Sequence, residues 1–165
     1  MFLEFEKHAS VSFLLGIILA IIYQDLIVFV LVIFFGFLVD FDHYLEYLFN
    51  TGIYNWKKFF EMVSSKHFVD SKHIFVIFHG YEYLFLSIIV FVYTNNLYVL
   101  SATVAYFVHL VIMDQYWGVS FLGNKDLKPG FYFLTFRIIK NFSRKELLKP
   151  DYIHLAGKDR KQLCN

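Results

Sequence analysis

Cysteine is almost missing from this chain. Cys164 is the only one, which excludes an internal disulfide and a thiolate zinc cluster. A secretory leader is not expected: residues 1–7 contain no basic opening region, and the apolar stretch behind them lacks a small-residue cleavage pattern. There is no internal repeat, and no low-complexity tract beyond a richness in Phe, Ile, Val and Leu. Net charge is only +1, and no nucleic-acid partner is expected. What the chain has in excess is hydrocarbon. Apolar residues make up 58% and aromatics 22% of its 165 residues, with a mean hydropathy of +0.54. Soluble domains sit near 45–50% apolar, so the composition is that of a membrane protein, and its length fits one domain with a small appendage.

Residues 9–23 form an apolar run that Gln24-Asp25 interrupts, and residues 26–39 are apolar again. Each run falls short of the ~20 residues that cross a ~30 Å core. One continuous helix would bury Asp25 near its middle, so the reading is a tight hairpin whose helices extend through His8 at one end and into residues 40–49 at the other. Residues 44–72 read as a polar-aromatic connection at headgroup level, with Trp56, Lys57, Lys58, Lys66 and His67. Residues 74–93 predict a third span carrying His79 and Glu82 near its start. Thr94-Asn95-Asn96 is a turn, and residues 97–113 predict a fourth span with His109 a turn from its end and Asp114 just past it. From Gln115 on, glycines and Pro129 punctuate a basic tail. The expected architecture is all-α: an integral membrane four-helix bundle over residues 1–118, with a basic cytoplasmic tail over 119–165. Within that tail, Arg137, Lys140 and Arg144 fall on one helical stripe of 131–142 and its flank, which fits either a helix lying on anionic lipid or an ordinary cytoplasmic segment with a solvated basic face.

The basic residues set the orientation. Lys7, Lys57, Lys58, Lys66, Lys72 and ten Lys or Arg from Lys125 onward account for all fifteen. The turns at Gln24-Asp25 and Thr94-Asn96 contain none. Four spans with both termini and the middle loop in the cytoplasm therefore satisfy the positive-inside rule.

That topology brings the ionisable residues to one depth. His8, then Asp40, Asp42 and His43, then His73, His79 and Glu82, then His109 and Asp114 all fall at cytoplasmic helix ends. Ionisable groups beside hydrocarbon are costly, so they tend to be paired, metal-bound or functional. A layer of imidazoles and carboxylates from four helices is how bundles build metal centres. Asp40 and His43 are i, i+3, as are His79 and Glu82, so each pair is expected on one helix face. Asp42 stands about 200° from Asp40 on an ideal helix, so both reach one site only where the helix gives way. Oxygen and nitrogen ligands without sulfur suit zinc first, with manganese or iron as alternatives. The set is large enough for one or two divalent ions. Glu82 and Asp42 are the candidates for proton transfer from water. Glu46 and Asp70 lie within reach of the layer as solvated loop residues, Asp25 reads as a turn residue, and His67 and His154 as surface residues.

The order His8, Asp40-Phe41-Asp42-His43, His73, His79, His109, Asp114, at roughly 30-residue spacing over residues 8–118, resembles the YdjM-like membrane-bound metal-dependent hydrolases. The chain departs from that pattern in having Val39 before the first Asp, and no Arg or Thr between His73 and His79. The resemblance implies a membrane hydrolase with His and Asp metal ligands. A phosphoester substrate, including a phospholipid, is expected at the bilayer face. Two other classes use similar ligands. A di-iron membrane oxidase would need H-x-x-H-H clusters, which this chain lacks. A non-enzymatic metal-binding or structural membrane protein is the other, and a carrier would show ionisable groups along a path through the bilayer, where only Asp25 occurs.

Overall fold

The computed structural model describes residues 2–52, 54, 55, 57, 59, 73–116 and 127–149, with backbone alone for 2–6, 38 and 50. Lys58, Lys66, His67, Asp70, Lys72, residues 117–126 and His154 lie outside the described residues, as does Trp56. Among the described residues the chain is helical and has no strand, only two isolated bridges, His73 with Ser143 and Leu127 with Leu148.

Helix α1 spans Phe2–Tyr23 and α2 spans Leu26–Leu38. Gln24 between them takes a left-handed φ of 52°, and Asp25 caps α2 by accepting from Ile27 N at 2.8 Å. The hairpin is tight because Gly36 has no side chain. A Cβ there would stand 2.4 Å from Ser12 Oγ on α1, so the α2 backbone packs directly on the Ser12 side chain, and any larger residue at 36 would force that side chain to shift.

Helix α3, Phe41–Thr51, follows a break at Val39-Asp40 and ends on Gly52 in the left-handed region. Helix α4 is Tyr81–Thr94 and α5 is Leu97–Phe107. Asn95 closes α4 at positive φ, and Asn96 caps α5 by accepting from Tyr98 N and Val99 N. Tyr98 also donates its hydroxyl proton to Asp25 Oδ2 at 3.0 Å, so both short turns lie at the same end of the fold. Helix α5 packs on the hairpin through Ala105 against Val28 and Val32, with Leu15, Leu19 and Phe35 alongside.

Two stretches differ from the sequence reading. The third apolar segment becomes helical only at Tyr81. Residues 73–80 run outside any helix, with Ile74 N donating to Phe142 O and Tyr81 N to Tyr132 O. The β-branched and aromatic residues from Ile74 to Phe78 favour extended backbone, and Asp42 occupies the Phe78 and His79 N–H groups. The tail differs too. Leu134–Ile139 (α6) and Arg144–Leu147 (α7) are short. They pack with Leu127 and Phe131 against Ile74 and Val76. Arg137 is fully buried, not part of a lipid-facing basic stripe, because apolar side chains of the tail and of residues 74–76 close around this segment.

Two helical stretches, Leu26–Phe49 and Leu97–Tyr116, have the length and composition to cross a membrane, and Lys7–Tyr23 and Tyr81–Thr94 are shorter apolar helices. Large apolar side chains on them face outward, among them Ile21, Leu26, Val30, Ile89 and Val92. Exposed apolar surface on this scale marks a face that contacts lipid or protein.

Candidate metal centre

The site forms where four chain segments meet at the end opposite the two short turns. The break at Val39-Asp40 is its first device. Asp40 N–H bonds the Phe37 carbonyl, and the Gly36 carbonyl instead accepts from His109 Nδ1 at 2.8 Å. The break also resolves the angular conflict within D-x-D-H, since Asp40 precedes α3 and Asp42 lies in its first turn.

The second device is a change of helix type. After Phe107 the chain continues as a π-helix over Val108–Tyr116. The i→i+5 bonding of a π-helix brings residues five apart onto a common face, and such segments are frequent at functional sites. His109 and Asp114 are five apart, and both are buried facing the same cluster. Asp114 therefore lies inside the helical element, not beyond its end as the α-helical period implied.

The third device fixes His79, which sits in the non-helical stretch before α4. Asp42 Oδ2 accepts from the Phe78 and His79 backbone N–H groups and from His79 Nδ1 at 3.0 Å. Tyr106 supports the same stretch: its hydroxyl bonds the Phe78 and Gly80 carbonyls and accepts from Gly80 N. Burial, and after it the neighbouring His43, hold the His79 imidazole well below the ordinary histidine pKa, which favours its neutral form.

These contacts dictate the tautomers. A carbonyl only accepts, so His109 Nδ1 carries its proton toward Gly36. The Asp42 carboxylate likewise takes the proton of His79 Nδ1. The Nε2 atoms of both rings are then lone-pair acceptors, and they face one another at 3.3 Å. Other acceptors converge on them: His79 Nε2 to Asp114 Oδ2 is 3.5 Å, His109 Nε2 to Asp40 Oδ1 is 3.6 Å, and His8 Nε2 to Asp114 Oδ1 is 3.7 Å. His8 Nδ1 meets Asp40 Oδ2 at 3.0 Å, and its buried Nε2 has no hydrogen-bond partner. Two ligands on a tetrahedral ion at 2.0–2.2 Å stand about 3.3–3.6 Å apart. The His79–His109, His79–Asp114 and His109–Asp40 separations fall in that range. His8, His109 and Asp114 bring one ligand atom each within 4.8 Å of one another, and so do Asp40, His43 and His79. These buried groups can hold a metal ion.

His43 lies beside His79, with ring centroids 5.3 Å apart, and its Nδ1 is 3.9 Å from Glu46 Oε2. Glu46 is itself buried, unlike the solvated loop residue its sequence position implied, because it falls on the inward face of α3. Two expected members of the site lie apart from it. Glu82 shares no helix face with His79, since α4 starts between them. Its carboxylate accepts from Leu134 N at 2.8 Å, Thr135 N at 2.9 Å and Thr135 Oγ1 at 2.8 Å. It thus holds the start of α6. His73 pairs with Ser143 and contacts the Asn141 carbonyl at 3.3 Å, in the layer between residues 73–80 and the tail.

Sequence reasoning missed the Gly36 carbonyl, Tyr106 and Arg137. The first had a signal, because a helix that breaks before Asp40 frees the carbonyl four residues earlier. Arg137 donates from Nη2 to the His79 carbonyl at 3.1 Å and lies 5.5 Å from the Phe131 ring centroid. Burial lowers its guanidinium pKa, with Asp42 and Glu82 opposing that shift.

No family model matches the chain, and neither does any curated protein or solved structure.

Proposed function

We propose that this chain is a membrane-embedded metal-dependent hydrolase acting on a phosphoester at the cytoplasmic membrane face, related in kind to the YdjM-like hydrolases whose motif order it resembles. The observation that carries this reading is the pair of facing Nε2 lone pairs of His79 and His109, 3.3 Å apart and surrounded by the Asp40 and Asp114 carboxylates. A cation between its acceptors would satisfy such an arrangement. The donor set is nitrogen and oxygen only, which suits zinc, with manganese or iron as alternatives. The ion would polarise a phosphoryl oxygen and lower the pKa of bound water. The chain's own residues supply the rest: Asp42 and the Gly36 carbonyl fix the two imidazoles, as outer partners of metal ligands do.

The membrane part of the proposal comprises four spans, two long and two short, with both termini in the cytoplasm. The all-lysine-and-arginine bias toward one side supports it. So does the depth of the cluster, which lies at the end of the fold opposite the turns tied by Tyr98 and Asp25. A phospholipid is the substrate class best suited to a site at that depth.

A second reading is a non-enzymatic metal-binding membrane protein. The near-complete burial of His8, His79, His109 and Asp114 favours it, because structural metal sites are closed and catalytic ones keep an open position. Purified protein assayed for metal content and then against soluble phosphoesters and short-chain phospholipids separates the two. Hydrolysis that requires the bound metal supports the first reading, and metal without turnover on any such substrate supports the second.

A further inference from the structure

Arg137 is fully buried, and its surroundings leave it short of hydrogen-bond acceptors, although Asp42 and Glu82 lie near enough to act on its charge. Nη2 donates to the His79 carbonyl at 3.1 Å. Nε and Nη1 have no hydrogen-bond partner among the described residues. No described carboxylate comes within ion-pairing distance of the guanidinium. Of the nearest acids, Asp42 takes three N–H groups of residues 78–79 on Oδ2 while its Oδ1 makes no hydrogen bond to the guanidinium, and Glu82 takes three donors of Leu134 and Thr135. The Tyr106 hydroxyl is spent on Phe78 and Gly80. A guanidinium at this depth is expensive unless an anion accompanies it, and buried orphan donors mark a ligand or a functional group. The same residue that offers Nε2 to the metal cluster, His79, offers its carbonyl to Arg137. The cation therefore stands one residue's length from the proposed ion.

We propose that Arg137 forms an oxyanion-binding subsite beside the metal centre and receives phosphate-type oxygens of the substrate through Nε and Nη1. This inference rests on the metal-hydrolase reading and narrows its substrate class to one with a charged phosphoryl group. A planar guanidinium suits phosphate oxygens in geometry as well as charge. The ligand's source is either a lipid headgroup or a soluble phosphate, which present the same oxygens.

The test uses full-length protein in detergent, loaded with zinc, with metal content read by elemental analysis and inorganic phosphate affinity read by calorimetry. Arg137→Met should keep the metal of the wild type and bind phosphate roughly ten- to a hundredfold more weakly. Arg137→Lys, which keeps the charge without the fork, should fall between them. Equal phosphate affinity in wild type and Arg137→Met at equal metal content would overturn the subsite. So would a wild type whose melting temperature and calorimetric signal do not respond to phosphate at all. Should Arg137→Met fail to fold, Arg137→Lys decides: unchanged affinity in it overturns the proposal, and weakened affinity supports it. Loss of metal from every form would instead count against the metal reading, which the elemental analysis records separately. Displacement of phosphate by dihexanoyl phosphatidic acid supports a lipid headgroup as the source, and failure to displace supports a soluble phosphate.

Discussion

His79 and His109 approach each other Nε2 to Nε2 at 3.3 Å, and each has its other ring nitrogen already committed, one to Asp42 and one to the Gly36 carbonyl. Neither ring, while neutral, can donate to the other without giving up that bond. The pair comes from a loop residue and a π-helical residue, so the fold has placed two lone pairs together from distant parts of the chain. A cation resolves the conflict, and several consequences can be measured.

Asp42→Ala removes the acceptor for His79 Nδ1 and for two backbone N–H groups. Outer partners of this type are worth about 10–100-fold in metal affinity, and leaving the buried donors unsatisfied costs about 1–3 kcal/mol each at most. Competition with a chromophoric chelator should show the affinity loss, and the melting temperature should fall in the same variant.

Glu82→Ala should separate the tail from the metal site. Its carboxylate caps the start of α6, and loss of a cap costs about 0.5–2 kcal/mol. Faster proteolysis within residues 127–149 at unchanged metal content is the expected result. Metal loss in Glu82→Ala matching that in Asp42→Ala would return Glu82 to the ligand set.

Gly36→Ala places a methyl 2.4 Å from Ser12 Oγ. Overpacking of this kind costs about 1–3 kcal/mol, and it also presses on the carbonyl that orients His109. Ser12→Gly in the same chain opens the contact, so the double variant should recover most of the lost thermal stability.

Acidification should release the metal, because protons compete for the imidazoles. The sign follows from burial. The folded environment favours neutral His79, so its pKa lies below the ordinary value near 6.5. The neutral ligand therefore persists as pH falls past 6.5, and its contribution is lost only as pH drops through the lower folded value. A metal-retention curve measured by equilibrium dialysis should have its midpoint below 6.5.

Much of this was legible in the residues. The apolar runs, the turns at Gln24-Asp25 and Asn95-Asn96 and the helical class follow from hydropathy and turn chemistry, and the ordering of His8, Asp40, His79 and His109 pointed to a shared layer. What the helical period could not supply was local departure from it. His79 and Glu82 read as one face, yet the β-rich stretch before Tyr81 stays extended and sends them to opposite tasks. His109 and Asp114 read as ill-matched at a spacing of five, and a π-helix makes that spacing the correct one. Arg137 read as an interfacial cation because a helical stripe does not show its burial or its bond to the His79 carbonyl, far away in sequence.

The most direct measurement is the metal content of gently purified wild-type protein beside that of His79→Ala and His109→Ala. Close to one or two equivalents of zinc, manganese or iron are expected in the wild type and a marked loss in both variants, with His73→Ala unchanged. A wild type that is folded, free of metal and unable to take up any of these ions would contradict the metal reading.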